Sequence, residues 1–414
     1  MLVIVGAGPA GSSLALLLAR QGVQVTLIEA NPDFRRQFRG QGLMPSGLAA
    51  LRQMNLWPLP EAVSHQTLKG WSFYLEGCRL FETVEPKDSS QCCTLVDQPS
   101  LLGWLVEQAA GHGGFRLRQG SPAVDLIRSA GRVAGVVLGD GTAVKADLVI
   151  GCDGSGSRLR QRAGLAMREG VSPIDVLWFR LRSEASDAIA AWLGGRLVTV
   201  IGATGSFALF AAAGGGVQLG WTLDQAPRRA SRGGDLRKKS GGIDWVKTWA
   251  SNSPDELAML LRALEADAVE GPLRLPVRVG LADRWHCPGL LLLGDAAHPM
   301  SPLRAQGINM ALRDSLLAAE HLLSVLAPGG ERTSIEDLDR VLGEIETARI
   351  GEIRTIQALQ LREAERAQLL KHQGWLRRWL ALNAHWIGPL VRHRWLREQQ
   401  QLRDGLPWQE NTYD

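Results

Sequence analysis

Three glycines and one acid near the start of the chain have the types and spacing needed to bind a phosphate-bearing ligand. Gly6, Gly8 and Gly11 follow the apolar run Met1–Val5, and Glu29 lies 23 residues beyond Gly6. In such a pattern one glycine permits the tight turn, one lets the backbone approach a pyrophosphate, and one lets a helix pack on a strand. The phosphates bind free amides at the helix N-terminus, and the acid accepts hydrogen bonds from a ribose. The pattern predicts a dinucleotide site.

Two later turns also combine glycine with aspartate. Asp153 and Gly154 follow a predicted buried strand, and Gly294 and Asp295 follow the four leucines Leu290–Leu293. Both aspartates therefore lie at the carboxyl ends of strands, which is the sheet edge where α/β folds bind their ligands. We expect both turns to face the same ligand as the first.

The segments that must hold these turns alternate between strands and helices. The residue pattern predicts a helix over Ser12–Arg20 between strands at Met1–Val5 and Val23–Glu29, which makes a βαβ unit. Another helix is expected over Ile308–Leu326. Gly307 opens this helix, whose N-terminus stabilises negative charge that develops nearby.

Changes in the pattern of apolar residues divide the chain into three parts. Short alternating apolar runs between about 171 and 279 predict an antiparallel sheet, to which 66–95 would add strands. The predicted fold class is α/β. Its parts are a discontinuous Rossmann-like domain (1–65, 96–170 and 280–330), a substrate-binding β-sheet domain (66–95 and 171–279) and a C-terminal helical region (331–414).

The composition excludes several classes of function. The 414 residues include 46 Lys and Arg against 42 Asp and Glu, and this net charge of +4 is too weak to indicate a nucleic-acid partner. No apolar run is long enough to cross a membrane, and no signal-peptide pattern opens the chain. Five cysteines without metal-binding spacing predict no metal site and a cytoplasmic location.

Together the three turns resemble those of the class A flavin monooxygenases, which have the para-hydroxybenzoate hydroxylase fold. The second turn matches their D-G-x-x-S-x-x-R pattern through Asp153, Gly154, Ser157 and Arg160, and the third matches their G-D-A-A-H motif at 294–298. The resemblance covers about residues 1–320 and implies FAD as the cofactor. The residues implied to bind FAD are Gly6, Gly8, Ala10, Gly11, Glu29, Ala30, Arg39, Gln98, Asp153, Gly154, Gly294, Asp295, Gly307, Ile308 and Asn309.

The resemblance also implies an activity. A monooxygenase of this family reduces FAD with NADPH or NADH, a transient co-substrate, and then transfers one oxygen atom from O₂ through a flavin C4a-hydroperoxide. It would hydroxylate or epoxidise a small substrate that is aromatic or otherwise hydrophobic and electron-rich. Two alternatives stay open. One is a flavin-dependent reductase of the same fold, similar to the geranylgeranyl reductases, and the other is a non-catalytic flavoprotein docked to a membrane.

One turn departs from the family pattern. Many members have a glycine pair where this chain has Arg304-Ala305, just after Pro302. Either Arg304 faces solvent or braces FAD, or it pairs with a carboxylate or phenolate of the substrate. Pro302, Arg304 and Gly307 are therefore the predicted catalytic residues around flavin and substrate. We expect His298 to be a packed, hydrogen-bonded residue and not a base.

Aromatic side chains provide two further predictions. Strand positions make five residues candidates for lining the substrate cavity: Trp71, Phe73, Trp178, Arg180 and Trp221. In the C-terminal region, Trp375, Trp379 and Trp386 fall within about 40° of one helical face. We expect that face to pack on the body of the protein, with Gly388-Pro389 breaking the helix. The alternative is peripheral membrane contact through this region.

Overall fold

The structure, a computed structural model, describes residues 1–35, 41–88, 91–170, 174–224, 243–275, 277–326 and 334–407. Within these ranges the strands are β1 (Leu2–Val5), β2 (Val25–Ile28), β3 (Gly42–Leu43), β4 (His65–Thr67), β5 (Gly70–Leu75), β6 (Cys78–Val84), β7 (Thr94–Val96), β8 (Phe115–Arg118), β9 (Ala123–Ser129), β10 (Arg132–Leu138), β11 (Ala143–Lys145), β12 (Leu148–Gly151), β13 (Met167–Glu169), β14 (Ile174–Leu181), β15 (Arg196–Ile201), β16 (Ser206–Ala211), β17 (Val217–Asp224), β18 (Val269–Leu275), β19 (Gly280–Ala282), β20 (His286–Cys287) and β21 (Leu290–Leu292). The helices are α1 (Pro9–Arg20), α2 (Pro45–Gln53), α3 (Gln98–Ala110), α4 (Arg158–Ala163), α5 (Glu184–Leu193), α6 (Trp245–Ala250), α7 (Asp255–Arg262), α8 (Gln306–Leu326), α9 (Ile335–His372), α10 (Gly374–Leu382) and α11 (Ala384–Asp404).

A six-stranded sheet in the order β20-β21-β12-β1-β2-β8 forms the centre of the first part of the fold. All its pairs are parallel except β20 with β21. Strands β1, β12 and β21 are buried along their whole length, as expected for a sheet covered on both faces. Because these three strands are neighbours and run the same way, the turns that follow them lie at one sheet edge. The predicted convergence of the three glycine turns is confirmed.

Helices cover this sheet and extend its core. Helix α1 packs against α3 and α8, and α8 packs against α9. The four leucines at 290–293 have no exposed surface, and the fully buried Trp285 belongs to the same core. The predicted βαβ unit is confirmed as β1-α1-β2, although α1 begins at Pro9, earlier than the pattern suggested.

A second sheet of seven strands has the order β18-β14-β17-β16-β15-β5-β6. It is antiparallel apart from the parallel pair β5 and β15. Successive side chains of a strand face opposite sides of a sheet. On β14, Phe179 packs against the helices α6 and α7 on one face, and Trp178 lies on the other face with Phe210. The seven strands lie within 66–95 and 171–279, and the exact domain boundaries stay a prediction.

The C-terminal helices differ from the prediction at one point. The helix α11 continues through Gly388 and Pro389, and the chain breaks instead at Gln373 and Asn383. Gly388 is needed for packing, because a Cβ there would lie 2.3 Å from the carbonyl oxygen of Leu80 on β6. Contacts with β6 thus hold the helix, although Pro389 removes one backbone donor. Among the described residues, no helix has the length and apolarity to span a bilayer.

Candidate functional site

The first glycine turn is shaped by close backbone contacts. Gly6 has φ +102°, and a Cβ there would lie 2.2 Å from the carbonyl oxygen of Cys152 in the second turn. A Cβ on Gly11 would lie 1.9 Å from the carbonyl oxygen of Gly6, and Ala10 beside it is buried. Gly8 is the N-cap of α1 and supplies no side-chain cap. The first-turn amides therefore form the kind of helix N-terminus that binds an anion.

Glu29 directly follows the last residue of β2, at the end of the βαβ unit. Its side chain is 2% exposed and its Oε2 accepts a 2.7 Å hydrogen bond from the amide of Ala7. Its Oε1 accepts from the amide and the side chain of Asn31, at 3.0 and 2.7 Å. The carboxylate is thereby fixed beside the first turn, and the neighbouring Ala30 is exposed.

The second turn is a helix cap that also reaches the third turn. Asp153 Oδ1 accepts from Ser157 Oγ at 2.5 Å, and its Oδ2 accepts from the amide of Leu159 at 3.1 Å. Gly154 supplies the positive φ of +80°. Arg160, on the α4 turn that Ser157 caps, donates a buried 2.8 Å hydrogen bond to the carbonyl oxygen of Ala296. The residues of the D-G-x-x-S-x-x-R motif therefore connect the second turn to the third turn.

The third turn lies beside the start of α8. Gly294 has φ +58° and donates its amide to Asp314 Oδ2 at 3.0 Å. Asp295 is exposed, and a Cβ on Gly307 would lie 3.8 Å from Asp295 Oδ1. His298 is 1% exposed, with its Nε2 2.6 Å from Asp314 Oδ2. The expectation that His298 is a packed, hydrogen-bonded residue is confirmed.

Sequence reasoning missed the buried charge network behind this turn. Arg349 on α9 donates to Asp314 Oδ1 at 2.7 Å and also pairs with Glu352, which accepts from Arg313 at 3.1 Å. Burial alone would raise the pKa of Asp314, but His298 and Arg349 outweigh it and lower that pKa to about 2. The partners lie far apart in sequence, so the only available signal was an aspartate on the inner face of a predicted helix.

The first residues of α8 join several segments. Asn309 is fully buried, and its side chain accepts from the amide of Met44 at 2.8 Å and donates to the carbonyl oxygens of Gly42 and Ala305, at 3.1 and 2.8 Å. Ile308 packs into the core beside α2. The Asn309 side chain is therefore structural, and a contact to a ligand would come from the backbone of 307–309.

Arg304 is enclosed and does not face solvent. Both Arg304 and Ala305 have positive φ, +58° and +50°. The guanidinium pairs with Glu363 on α9 and lies over three aromatic rings, at 4.9 Å from Trp395, 5.1 Å from Trp71 and 5.6 Å from Phe73. The side chain is 9% exposed. The solvent-facing interpretation of Arg304 is therefore wrong. Pro302 precedes this turn and is half-buried.

The aromatic face of the second sheet lies against this turn. Trp71, Phe73 and Trp178 belong to it, together with Phe210 and with Trp395 from α11. Four nitrogen atoms of this cluster, of Arg304 and of Arg180 on β14 are buried without a hydrogen-bond partner among the described residues: Trp178 Nε1, Arg180 Nε, Arg304 Nε and Trp395 Nε1. Such atoms are costly to bury unless a ligand or a water molecule supplies the missing partner.

Trp221, predicted to line the same cavity, lies on the opposite face of the sheet. It stacks on Phe207 and contacts Trp245 on α6. Its strand β17 alternates in the register opposite to the one assumed, so this prediction is wrong. Trp395 was missed because nothing in the sequence indicates that a C-terminal helix returns to the sheet.

The two remaining predicted FAD contacts are Gln98 and Arg39. Gln98 is buried at the first position of α3, beside the N-cap Asp97, which accepts from the amide of Ser100 at 3.1 Å. Arg39 lies outside the described residues.

The donor set fits FAD. Gly6 and Gly11 leave no room for a Cβ, and the N-terminus of α1 has no side-chain cap. Glu29, fixed by the amide of Ala7 at the end of the βαβ unit, is placed where such units bind a ribose. These are the features by which a Rossmann-like unit holds a dinucleotide. No group of His, Cys, Asp and Glu residues suited to a metal ion occurs in the described ranges.

Comparison with known proteins decides the family. The model of the FAD binding domain family matches residues 1–337. The chain belongs to this family. It is an FAD-dependent monooxygenase, and the fold and the cofactor predicted from the resemblance are confirmed.

Relatives of this monooxygenase include both oxygenases and reductases. It is 32% identical over 366 residues to a 6-methylpretetramide 4-monooxygenase of Streptomyces rimosus, covering 86% of this chain and 82% of the relative. It is 28% identical to a menaquinone reductase of Mycolicibacterium smegmatis, covering 78% and 76%. The solved structure of PqsL from P. aeruginosa in complex with 2-aminobenzoylacetate has a TM-score of 0.70 at 20% identity, covering 92% of this chain and 98% of PqsL. Use of NAD(P)H is typical of this family.

Proposed function

We propose that this monooxygenase inserts one oxygen atom into a hydrophobic aromatic substrate held between the Arg304 turn and the aromatic face of the second sheet. Three of the buried nitrogens without partners carry the proposal, because Trp178 and Trp395 belong to the aromatic cluster, Arg304 lies over its rings, and each keeps an unused hydrogen-bond donor. An aromatic substrate with an oxygen substituent satisfies both requirements. The similarity to a 6-methylpretetramide 4-monooxygenase supports this class of substrate.

On the cofactor side, the chain's own backbone would do most of the binding. The glycine turn and the first turn of α1 would hold the pyrophosphate, and Glu29 would accept from the ribose. Asp295 would bind the ribitol or pyrophosphate, and Asp153 would keep the second turn in place. Bound FAD, reduced by NADPH or NADH, supplies the activation of O₂. The amides at 307–309, at the N-terminus of the long helix α8, would stabilise negative charge on the reduced ring.

On the substrate side, the chain would position the ring and exclude water. Trp71, Phe73 and Phe210 offer flat apolar surface, while Trp178 Nε1 and Trp395 Nε1 can donate to a substrate oxygen. Arg304 keeps one unused N–H at Nε besides its pair with Glu363. This arrangement supports the second interpretation of Arg304, in which it recognises an anionic oxygen of the substrate.

Oxygen and nicotinamide consumption test the function. The purified yellow enzyme is mixed with NADPH or NADH and a panel of hydroxylated aromatic compounds. We expect one panel member to accelerate consumption of NAD(P)H and O₂ together, with little hydrogen peroxide released. Turnover of a substrate without O₂ would instead indicate a reductase, as in the menaquinone reductase relative.

Paired tryptophan variants test the location of the substrate. Trp178→Phe removes an unused donor from the proposed cavity, and Trp221→Phe makes the same change on the opposite face of the sheet. We expect Trp178→Phe to weaken substrate binding about tenfold, the value of roughly one hydrogen bond. Equal effects of the two variants on the KM of the substrate would contradict the proposed position of the substrate.

The cytoplasmic location of the protein stays a prediction.

A further inference from the structure

The C-terminal helices carry an exposed apolar surface, which we call the tryptophan corner. It consists of Trp375, Trp379 and Leu382 on one face of α10, and Trp386 and Leu390 on one face of α11. Their exposed fractions are 72, 52, 80, 77 and 70%. The two helices meet at Asn383, which donates its amide to the carbonyl oxygen of Trp379. The prediction that the tryptophans pack on the body of the protein is wrong.

The tryptophan corner is also positively charged. Between 374 and 397 the chain contains five arginines and no aspartate or glutamate. Arg377 and Arg394 pair with Glu76 and Glu398. Arg378, Arg392 and Arg397 are exposed and make no ion pair within the part of the chain that the structure describes. A surface that covers these two helices therefore meets both apolar rings and unneutralised cations.

The inner sides of both helices are fixed, so the corner is a built surface and not a loose tail. Arg377 is buried, pairs with Glu76 and donates to the carbonyl oxygens of Leu370 and Lys371, at 3.1 and 2.7 Å. On α11, Trp395 packs in the aromatic cluster with Trp71 and Phe73. These contacts hold the exposed rings outward.

We propose that the tryptophan corner docks the enzyme on a bilayer that contains anionic lipids. Tryptophan prefers the membrane–water interface, where its ring is buried and its N–H stays hydrated, and arginines beside it attract lipid phosphates. A second copy of the chain fits less well. A two-fold interface places the same patch against itself, so Arg378, Arg392 and Arg397 would meet like charges.

A groove lies beside the tryptophan corner. It has a volume of about 490 Å³ and lies between β6 and the two helices, with Leu382 and Pro389 in its lining. Its inner wall includes Phe81, which stacks on Phe73 at 4.5 Å and contacts Trp395 at 5.7 Å. One residue of the tryptophan corner, Leu382, and one neighbour of the aromatic cluster around Arg304, Phe81, thus line the same groove.

Vesicle cosedimentation of the FAD-loaded enzyme tests the proposal. The probes are vesicles of pure phosphatidylcholine and of phosphatidylcholine mixed with phosphatidylglycerol. We expect binding to the mixed vesicles that weakens with added salt. Replacing the three exposed tryptophans (Trp375→Ser, Trp379→Ser and Trp386→Ser) should weaken it about tenfold or more, because three interfacial rings are lost. Replacing Arg378, Arg392 and Arg397 by glutamine should weaken it roughly fivefold per arginine.

Matched controls use exposed residues on α7. Met259→Ser removes an exposed apolar side chain, and Arg262→Gln removes an exposed cation, both away from the corner. Both should bind vesicles like the parent enzyme, and all variants should keep its flavin absorbance spectrum. Equal sedimentation of the parent and the triple tryptophan variant would overturn the proposal, as would failure of the parent to bind mixed vesicles. A dimer in sedimentation velocity that only the tryptophan variant dissolves would assign the corner to a second copy.

Discussion

The cofactor half of the site and the proposed substrate half are built in opposite ways. In the cofactor half, glycines such as Gly6, Gly154 and Gly294 take the positive φ angles, and the buried acids have fixed partners. In the substrate half, Arg304 and Ala305 take positive φ angles, and buried nitrogens lack partners. A bound dinucleotide needs a rigid preformed cradle, whereas the substrate site that we propose keeps donors for a ligand that is exchanged in each turnover.

The largest expected effect comes from breaking the buried charge network behind the third turn, in the cofactor half of the site. Asp314→Asn leaves the buried Arg349 and Arg313 to share the single carboxylate of Glu352, and it should lower the free energy of unfolding by about 3–5 kcal/mol. Urea unfolding of the variant measures this loss. The control Asp187→Asn changes an exposed acid on α5 and should leave the midpoint unchanged. A similar midpoint for all three proteins would show that the network is not needed for stability.

A single methyl group should damage the cradle. The Cβ of Gly11→Ala would overlap the carbonyl oxygen of Gly6, and forced overpacking costs about 1–3 kcal/mol. We expect FAD affinity to fall roughly tenfold to 100-fold. Fluorescence titration of the apoprotein with FAD measures the dissociation constant. Gly351→Ala on α9, where a Cβ meets nothing within 4 Å, is the control, and equal affinities would refute the cradle.

Acid should weaken the same network in a defined pH window. The pKa of Asp314 is lowered from 3.8 to about 2, so its contribution to stability is complete above pH 4 and is lost as pH falls toward 2. The lost contribution is about 2 kcal/mol. Unfolding measured at several pH values should fall more steeply for the parent than for Asp314→Asn, and parallel curves would contradict the assignment.

The smallest expected effect on stability tests whether the positive φ angle of Ala305 strains the backbone. Ala305→Gly should raise the free energy of unfolding by about 1 kcal/mol, since glycine adopts φ +50° without strain. The same substitution on an exposed helical residue, Ala188→Gly on α5, should lower it by about 1 kcal/mol. Thermal unfolding of both variants distinguishes the signs. Destabilisation by Ala305→Gly would mean that Ala305 packing against Gly42 outweighs the strain.

The two halves also differ in how well the sequence predicts them. The three turns could be located because each is a local motif at a strand end, with glycines and acids at fixed spacing. The pairing of Arg304 with Glu363 and the position of Trp395 could not, because they depend on how α9 and α11 return to the sheet. Trp221 failed for a related reason, since the register of β17 decides which face its side chain occupies.

The return of α11 to the sheet has a consequence for biosynthesis. Strands β1, β12 and β21 are all translated before Glu363 and Trp395, and chains generally begin to fold from the N-terminal end as they leave the ribosome. The nascent protein can therefore form its FAD-binding sheet while one wall of the proposed substrate site is still unsynthesised. Docking of the last helix completes that wall, so the proposed substrate site cannot form before α11 has been synthesised.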